Sequence, residues 1–280
     1  MAEPAPEIVR DIVRRALEED IGQADVTTQS VVPPEARCSG AVVARREGIV
    51  AGLRVAETVF RELDDAVEFR ARVADGSFVA EGATVATVAG SARSILTAER
   101  TALNFLQRMS GIATVTRRYV SAVEGTGARI LDTRKTAPGL RCLDKWAVAL
   151  GGGSNHRFGL YDGILIKDNH LRLAGGVATA VTAARRNAPH GLKIQVEVET
   201  LEQVHEALES GADALLLDNM SVSDLRASVG LAKGRALTEA SGGVNLETVR
   251  EVAETGVDFI SVGALTHSVP ALDIALDISG

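Results

Sequence analysis

The second half of the chain alternates short β-rich runs with helical stretches, and this alternation limits the fold more than any other feature. Apolar, Val/Ile/Leu-rich runs recur at 128–132, 163–167, 193–198, 213–217, 235–239 and 257–262. Helical periodicity fills roughly 139–150, 176–187, 200–210, 221–232 and 244–255 between them. A strand that leads into a helix before the next strand pairs in parallel with it, so the pattern predicts βαβ units closed into a barrel or laid out as a doubly wound sheet. The Gly-x-Gly-x-x-Gly turn that marks many doubly wound sheets is missing, which favours the barrel. The runs finish on Asp132, Lys167, Glu197 with Glu199, Asp218, Glu239 and Ser261. In a barrel these C-terminal ends form a single rim, and a ring of mixed charge there is the expected seat of a ligand.

The first half has a different rhythm. Ile8, Val9, Ile12, Val13, Ala16 and Leu17 fall at helical spacing over residues 7–20. Val-rich stretches at 41–43, 66–73 and 83–89, punctuated by Asp75-Gly76 and Glu81-Gly82, predict antiparallel strands, interrupted by one helix at about 53–63. This reads as a small α/β sandwich. The hairpin faintly resembles a lipoyl or biotinyl carrier, but a carrier needs a lysine at its tip and the chain has no lysine before Lys135. Two further helical segments, 92–110 and 113–124, lead into the alternating half.

The formal charge of −7 argues against nucleic acid or an anionic membrane as partner. No apolar run approaches the ~18 residues needed to cross a bilayer. The N-terminal residues lack the basic and apolar regions of a signal peptide. Two cysteines, Cys38 and Cys142, are too few for a disulfide framework or a zinc site. The expectation is a soluble, cytoplasmic protein in a reducing compartment.

Against this acidic background, segment 132–172 is basic. Arg134, Lys135, Arg141, Lys145, Arg157, Lys167 and Arg172 face Asp132, Asp144, Asp162 and Asp168, a balance of seven minus four, or +3. The segment also holds His156 and His170. Arginine forks bind carboxylate and phosphate strongly and selectively, so an anionic ligand with more than one charged group is implied. Arg141, Lys145 and Arg172 lie near helical stretches and read as a solvated basic face. Gly151-Gly152-Gly153 alone is a weak signal, but Asn155-His156-Arg157 follows at once, which suits close approach of backbone to a ligand. Glu197 and Asp218 end neighbouring strands and suit ribose hydroxyls or a Mg²⁺ that keeps several waters, although a rim salt bridge to Lys167 would explain Glu197 equally well. Glu199 shares the face parity of Glu197, and spacing alone does not separate the two. Ser241-Gly242-Gly243 and Val262-Gly263-Ala264 each follow a strand and precede a helix, the usual form of a barrel phosphate site.

These residues resemble those of a known family. Asp132-Thr-Arg-Lys-Thr-Ala-Pro-Gly-Leu-Arg141 and the block Gly151–His170 are closely similar to quinolinate phosphoribosyltransferase. Glu99-Arg100 through Asn104, Glu197-Val-Glu199, Leu217-Asp218-Asn219, Ser241-Gly-Gly243 and Gly263-Ala-Leu-Thr266 fit in order and spacing. The likeness spans essentially the whole chain. It departs at Ala24, where the family has Gly, and at Ala137, where it has Thr; neither change touches a charge. The resemblance implies an N-terminal α/β sandwich over 1–108, to which 270–280 return, and an incomplete seven-stranded (β/α) barrel over 109–269. It implies transfer of a phosphoribosyl group from phosphoribosyl pyrophosphate to quinolinate with decarboxylation, a step of NAD biosynthesis giving nicotinate mononucleotide. By the same resemblance, Arg134, His156 and Arg157 hold the two quinolinate carboxylates with Lys135 beside them, and Thr133 is a further substrate-binding residue. Lys167, Glu197 and Asp218 position the ribose, pyrophosphate and Mg²⁺, and the backbone at 241–243 and 262–264 takes the 5′-phosphate. Arg100 is implied to reach the site across a homodimer interface.

Two other readings stay open on the residues. Lys167 could be the Schiff-base lysine of an aldolase-type barrel, though Asp168 and the surrounding cations suit a phosphate ligand better. A regulatory barrel that binds a phosphometabolite without chemistry would need only the glycine loops and leaves the Asp-Thr-Arg-Lys and Asn-His-Arg clusters without a task.

Overall fold

The structure, a computed structural model, describes residues 3–279. Met1, Ala2 and Gly280, the outer ends of the expected first domain and the start of the N-terminal stretch read for a signal, lie outside the described residues. The chain forms two compact units: the described parts of 1–117, 136–152 and 265–280 make the first, and 118–135 with 153–264 make the second.

In the first unit, α1 (Pro6–Ile21) begins with Pro in its first turn, where a missing N–H costs nothing, and buries Val9, Val13 and Leu17 on one face. The short α2 (Val26–Val31) is capped by Asp25, whose carboxylate accepts from the Thr28 N–H at 2.9 Å. Then come β1 (Arg37–Ala44), β2 (Gly48–Ile49), α3 (Leu53–Leu63), β3 (Glu68–Ala71), β4 (Phe78–Val79) and β5 (Thr84–Ser91). The C-terminal strand Ile274–Ser279, β1, β5 and β3 lie side by side in that order as an antiparallel sheet, and β2 pairs with β4. The C-terminal strand runs in register from Ser279 opposite Ser39 to Ile274 opposite Ala44.

The next helix corrects the sequence reading. Instead of two segments broken near 111, α4 (Ala92–Ala122) is one helix of 31 residues. Gly111, in the gap between the two expected segments, makes a close approach: a Cβ there would lie 2.3 Å from the Pro270 carbonyl oxygen. A second correction concerns α5 (Arg141–Leu150). Residues Leu143 through Val148 are all buried, so the helix has no solvated face in this stretch. Lys145 is therefore a fully buried side chain rather than part of an exposed basic face, whereas Arg141 is half-buried and Arg172 exposed. Asp144, also fully buried, accepts a two-pronged bond from Arg108 Nε and Nη2 at 2.9 and 2.8 Å.

The second unit holds the six runs read from the sequence as β6 (Arg129–Leu131), β7 (Ile164–Ile166), β8 (Ile194–Val198), β9 (Ala214–Asp218), β10 (Leu237–Ser241) and β11 (Phe259–Ser261). They make one parallel sheet in the order β6-β11-β10-β9-β8-β7. The helices between them are α6 (Asp168–Ala174), α7 (Val177–Asn187), α8 (Leu201–Glu209), α9 (Val222–Ala232) and α10 (Val249–Ala253). Among the described residues the seventh strand position is filled by a single parallel bridge, Ser154 beside Leu131, and the sheet is not closed. Helix α10 is shorter than its sequence pattern because the Asn245 side-chain oxygen accepts from the Glu247 and Thr248 N–H groups, forming a turn that delays the helix.

Register decides which side chains share the inner face. Paired residues of parallel strands point the same way, and alternate residues of one strand return to one face. Gln195 pairs with Ala214, and Ala214 with Leu237; Glu197 and Glu239 both pair with Leu216. Asp218 pairs with Ser241 at the C-terminal end of the same face.

Candidate active site

The rim read from the strand ends is present in the second unit, with one displacement. β10 ends at Ser241, not Glu239, so Glu239 sits in mid-strand on the inner face and below the rim. Asp132, just past β6, is fully buried. Its carboxylate accepts from the His156 N–H at 2.8 Å and from Asn155 Nδ2 at 2.6 Å. Asp132 thus anchors the Asn-His-Arg segment, a role its position at a strand end did not reveal.

That segment places Arg157 near Arg134. Burial holds the Arg157 guanidinium below the usual arginine value, and the neighbouring Arg134 charge pushes the same way, against the opposing pull of Asp162. Arg157 Nη1 donates to the Gly163 carbonyl at 2.8 Å. The Arg134 Nε is buried and has no hydrogen-bond partner among the described residues. Two like charges held together, one with an unsatisfied buried donor, describe a place for an anion. Thr133 shapes the turn beneath them, its hydroxyl accepting from the Lys135 N–H at 3.0 Å; the Lys135 side chain is exposed. His156 turns inward, with Nε2 3.2 Å from Gln195 Oε1 and Nδ1 accepting from the Arg157 N–H at 2.7 Å.

On the other side of the rim, Lys167 Nζ lies 3.5 Å from Glu197 Oε2, and the two side chains are 48% and 12% exposed. The rim salt bridge expected as the ordinary explanation of Glu197 is therefore formed. Glu199 is distinct: it lies past the end of β8, is exposed, and its N–H donates to Gln203 Oε1 at 2.8 Å. The Lys167 N–H donates to His170 Nδ1 at 2.9 Å at the start of α6. The sequence reading did not include α6, although Asp168 at its start and Gly175-Gly176 at its end are ordinary helix signals.

Asp218 closes β9 and accepts from Asn219 Nδ2 at 2.7 Å. Asn219 is the one non-glycine residue with positive φ among those described, at 52°, and its N–H donates to the Ser241 carbonyl. Gly242 follows with φ 91°, and a Cβ on it would lie 2.2 Å from Asn219 Oδ1. The loops after β9 and β10 are thus fitted to each other by a glycine that no larger residue replaces without displacing Asn219. Gly242→Ala is expected to lower stability by more than ~1 kcal/mol, because both φ and space oppose the methyl. Thermal unfolding checks this, and an unchanged midpoint would show that the loop adapts. At the neighbouring strand, the Val262 N–H donates to the Leu131 carbonyl and its side chain is buried, so Val262 carries the Gly263-Ala264 turn but spends its own N–H on the sheet.

Arg134, His156, Arg157, Lys167, Glu197, Asp218, Ser241–Gly243 and Val262–Ala264 all belong to the second unit. Arg100 is exposed on α4 in the first. Gln195 is the inner-face residue that sequence reasoning missed, since an uncharged side chain in an apolar run carries no signal.

The chain is similar to known proteins over nearly its whole length. Residues 25–110 match the quinolinate phosphoribosyl transferase N-terminal domain, and residues 112–277 match the C-terminal domain. The chain is 48% identical over 275 residues to the carboxylating nicotinate-nucleotide pyrophosphorylase of Mycobacterium leprae, covering 96% of each protein. It is 46% identical over 261 residues to a probable carboxylating nicotinate-nucleotide pyrophosphorylase of Bacillus subtilis, covering 93% of this chain and 90% of that one. The solved nicotinate-nucleotide pyrophosphorylase from Francisella tularensis superposes with a TM-score of 0.94 at 40% identity, over 99% of this chain and 98% of that one. On two consecutive domain matches and on relatives similar over nearly their full length, the chain belongs to the quinolinate phosphoribosyl transferase family.

Proposed function

We propose that this chain joins quinolinate to phosphoribosyl pyrophosphate with loss of CO₂, giving nicotinate mononucleotide and pyrophosphate. The observation that carries the reading is the Arg134–Arg157 pair, with a buried, unpartnered donor on Arg134. A dicarboxylate supplies the two negative charges that such a pair lacks, and Lys135 and His156 stand beside it. The reaction itself needs no nucleophilic side chain. The pyridine nitrogen bonds to the ribosyl carbon as its bond to pyrophosphate breaks, so positive charge passes through that carbon to the ring nitrogen. Glu197 and Asp218 on the rim stabilise the positive charge electrostatically, and Lys167 meets the departing pyrophosphate. The ring nitrogen, now cationic, stabilises the carbanion left on the adjacent carbon when the C–CO₂ bond breaks, and that carbanion takes up a proton.

Among the described residues no group of three or more His, Cys, Asp or Glu could hold a metal ion. Glu197 and Asp218 would be the residues to hold a Mg²⁺ brought in by phosphoribosyl pyrophosphate. Bound there, it would neutralise the pyrophosphate as it leaves. Backbone groups at 241–243 and 263–264 would receive the 5′-phosphate. The working unit in this reading is a homodimer in which Arg100 of the partner subunit completes the anion site. Cytoplasmic location suits the two cysteines, which are both free. No helix among the described residues is long and apolar enough to cross a membrane.

Incubation with quinolinate, phosphoribosyl pyrophosphate and Mg²⁺ tests the reading directly; no nicotinate mononucleotide and no CO₂ from active-site-intact protein would refute it. The division of labour has its own test. Asp218→Asn keeps the shape and removes the charge, so it is expected to weaken use of phosphoribosyl pyrophosphate by about tenfold, or ~1.4 kcal/mol, with quinolinate binding nearly unchanged. Equal loss of both affinities would reassign Asp218.

A further inference from the structure

Below the rim, His156 of the clamp meets two polar groups that none of the assigned roles uses, half-buried Gln195 and buried Glu239. Glu239, in mid-β10, has a side chain only 5% exposed. Its Oε2 accepts from Gln195 Nε2 at 2.8 Å and lies 3.5 Å from His156 Nε2. Its Oε1 is buried and has no partner among the described residues. Gln195 Oε1 lies 3.2 Å from the same His156 nitrogen, and His156 Nδ1 accepts from the main-chain N–H of Arg157 at 2.7 Å. A carboxylate kept in a sheet interior with half its acceptors empty is costly, and such groups call for a functional explanation.

Donor and acceptor counting fixes the states of these groups. An Nδ1 that accepts from an N–H carries no hydrogen, so the neutral ring bears its hydrogen on Nε2. That hydrogen needs an acceptor, and Gln195 supplies its oxygen only if its NH₂ points the other way. The NH₂ in turn needs an acceptor, and an ionised Glu239 offers nothing else. The carboxylate at 239 thus selects the orientation of Gln195, which selects the tautomer of His156, which frees Nδ1 to hold the Arg157 main chain.

We propose that Glu239 and Gln195 are positioning residues that lock His156 in its Nε2–H tautomer and, through Nδ1, fix the backbone of Arg157 at the carboxylate site. The proposal rests on the reading of that site as the quinolinate clamp. It predicts that His156 contributes to the clamp by steadying Arg157, whose charge is disfavoured by burial and by Arg134 and which gains most from a fixed frame.

The test uses ¹⁵N-histidine NMR, which reports which ring nitrogen bears the hydrogen. The chain has five histidines, and His156→Gln assigns the signal. Wild-type protein at mildly alkaline pH is expected to show the hydrogen on Nε2. In Glu239→Leu the Gln195 amide loses the acceptor that orients it, so the Nε2–H tautomer is no longer selected, the bond to Arg157 weakens, and calorimetric quinolinate affinity falls about tenfold, the lower end for loss of an outer-shell partner. The double variant Gln195→Glu/Glu239→Gln exchanges carboxylate and amide. It again presents an acceptor to Nε2 and is expected to restore both the tautomer and the affinity. A hydrogen on Nδ1 in the wild type overturns the proposal, as does a Glu239→Leu protein with unchanged tautomer and affinity. So does a double variant that regains the tautomer but not the affinity. Should the single variant not fold, the wild-type spectrum and the double variant decide alone. If wild-type protein does not bind quinolinate, the functional reading fails, while the tautomer still decides whether the lock exists.

Discussion

Arg134→Ala is expected to weaken quinolinate binding about a hundredfold, the equivalent of ~3 kcal/mol, while leaving the ligand-free protein as stable as before or more so. The two halves of this result have one cause. In the free protein Arg134 repels the half-buried Arg157, and its Nε spends its hydrogen on no acceptor among the described residues, so removing it relieves a strain. When a dicarboxylate is bound, the same group pairs with one carboxylate in a site where water competes poorly, and its loss leaves that charge unmatched. Nicotinate lacks one of the two carboxylates. It is expected to bind the wild type about a hundredfold more weakly than quinolinate, on the same ~3 kcal/mol for an unmatched buried charge. In Arg134→Ala the gap between the two ligands should narrow. Arg134→Lys should fall between, since it keeps the charge but loses the planar fork. Calorimetric titration of both ligands, with thermal unfolding in their absence, checks each part. A wild type that binds nicotinate as tightly as quinolinate would show that the pair is not a dicarboxylate clamp.

The parts of this molecule that were legible in the sequence are those where chemistry and periodicity coincide. The six β-rich runs became six parallel strands because apolar, β-branched segments buried on both faces have few other uses. The helix at 53–63 was read to its ends because Gly52 and the Asp64 turn bound a clean amphipathic pattern. Charges at strand ends gave the rim. The misreadings are equally physical. The gap expected between 110 and 113 is helical, and the close approach of Pro270 to Gly111 that it accommodates comes from a segment far away in the chain. Lys145 was read as solvated because lysine almost always is, and nothing in the sequence marks α5 as buried all round. Glu239 was placed at a strand end because the pattern of β10 began two residues late. That slip hid its distance from the rim and with it the partnership with Gln195. Side-chain orientation across neighbouring strands depends on register, which no single strand carries.

Mixing Arg100→Ala protein with Lys167→Ala protein, each expected to be nearly inactive alone, should restore about a quarter of wild-type activity after subunit exchange. The figure follows from symmetry: random pairing of equal amounts makes about half the dimers hybrid, and one of the two sites in each hybrid escapes both substitutions. The argument for sharing begins with Arg100 itself. It is exposed on α4 of the first unit, whereas Lys167, Glu197 and Asp218 all belong to the second. An arginine that serves the anion site from a partner subunit would leave each chain incomplete alone, so activity would depend on protein concentration as dimers dissociate on dilution. If Arg100 instead serves its own chain, every hybrid contains one site lacking Arg100 and one lacking Lys167, and mixing restores nothing. The experiment separates these cases without any structural assumption, provided exchange is verified by mass-labelled subunits. Full exchange with no recovered activity would place Arg100 in its own chain's site or outside the site altogether, and the Arg100→Ala protein's own affinity for quinolinate would then tell those two apart.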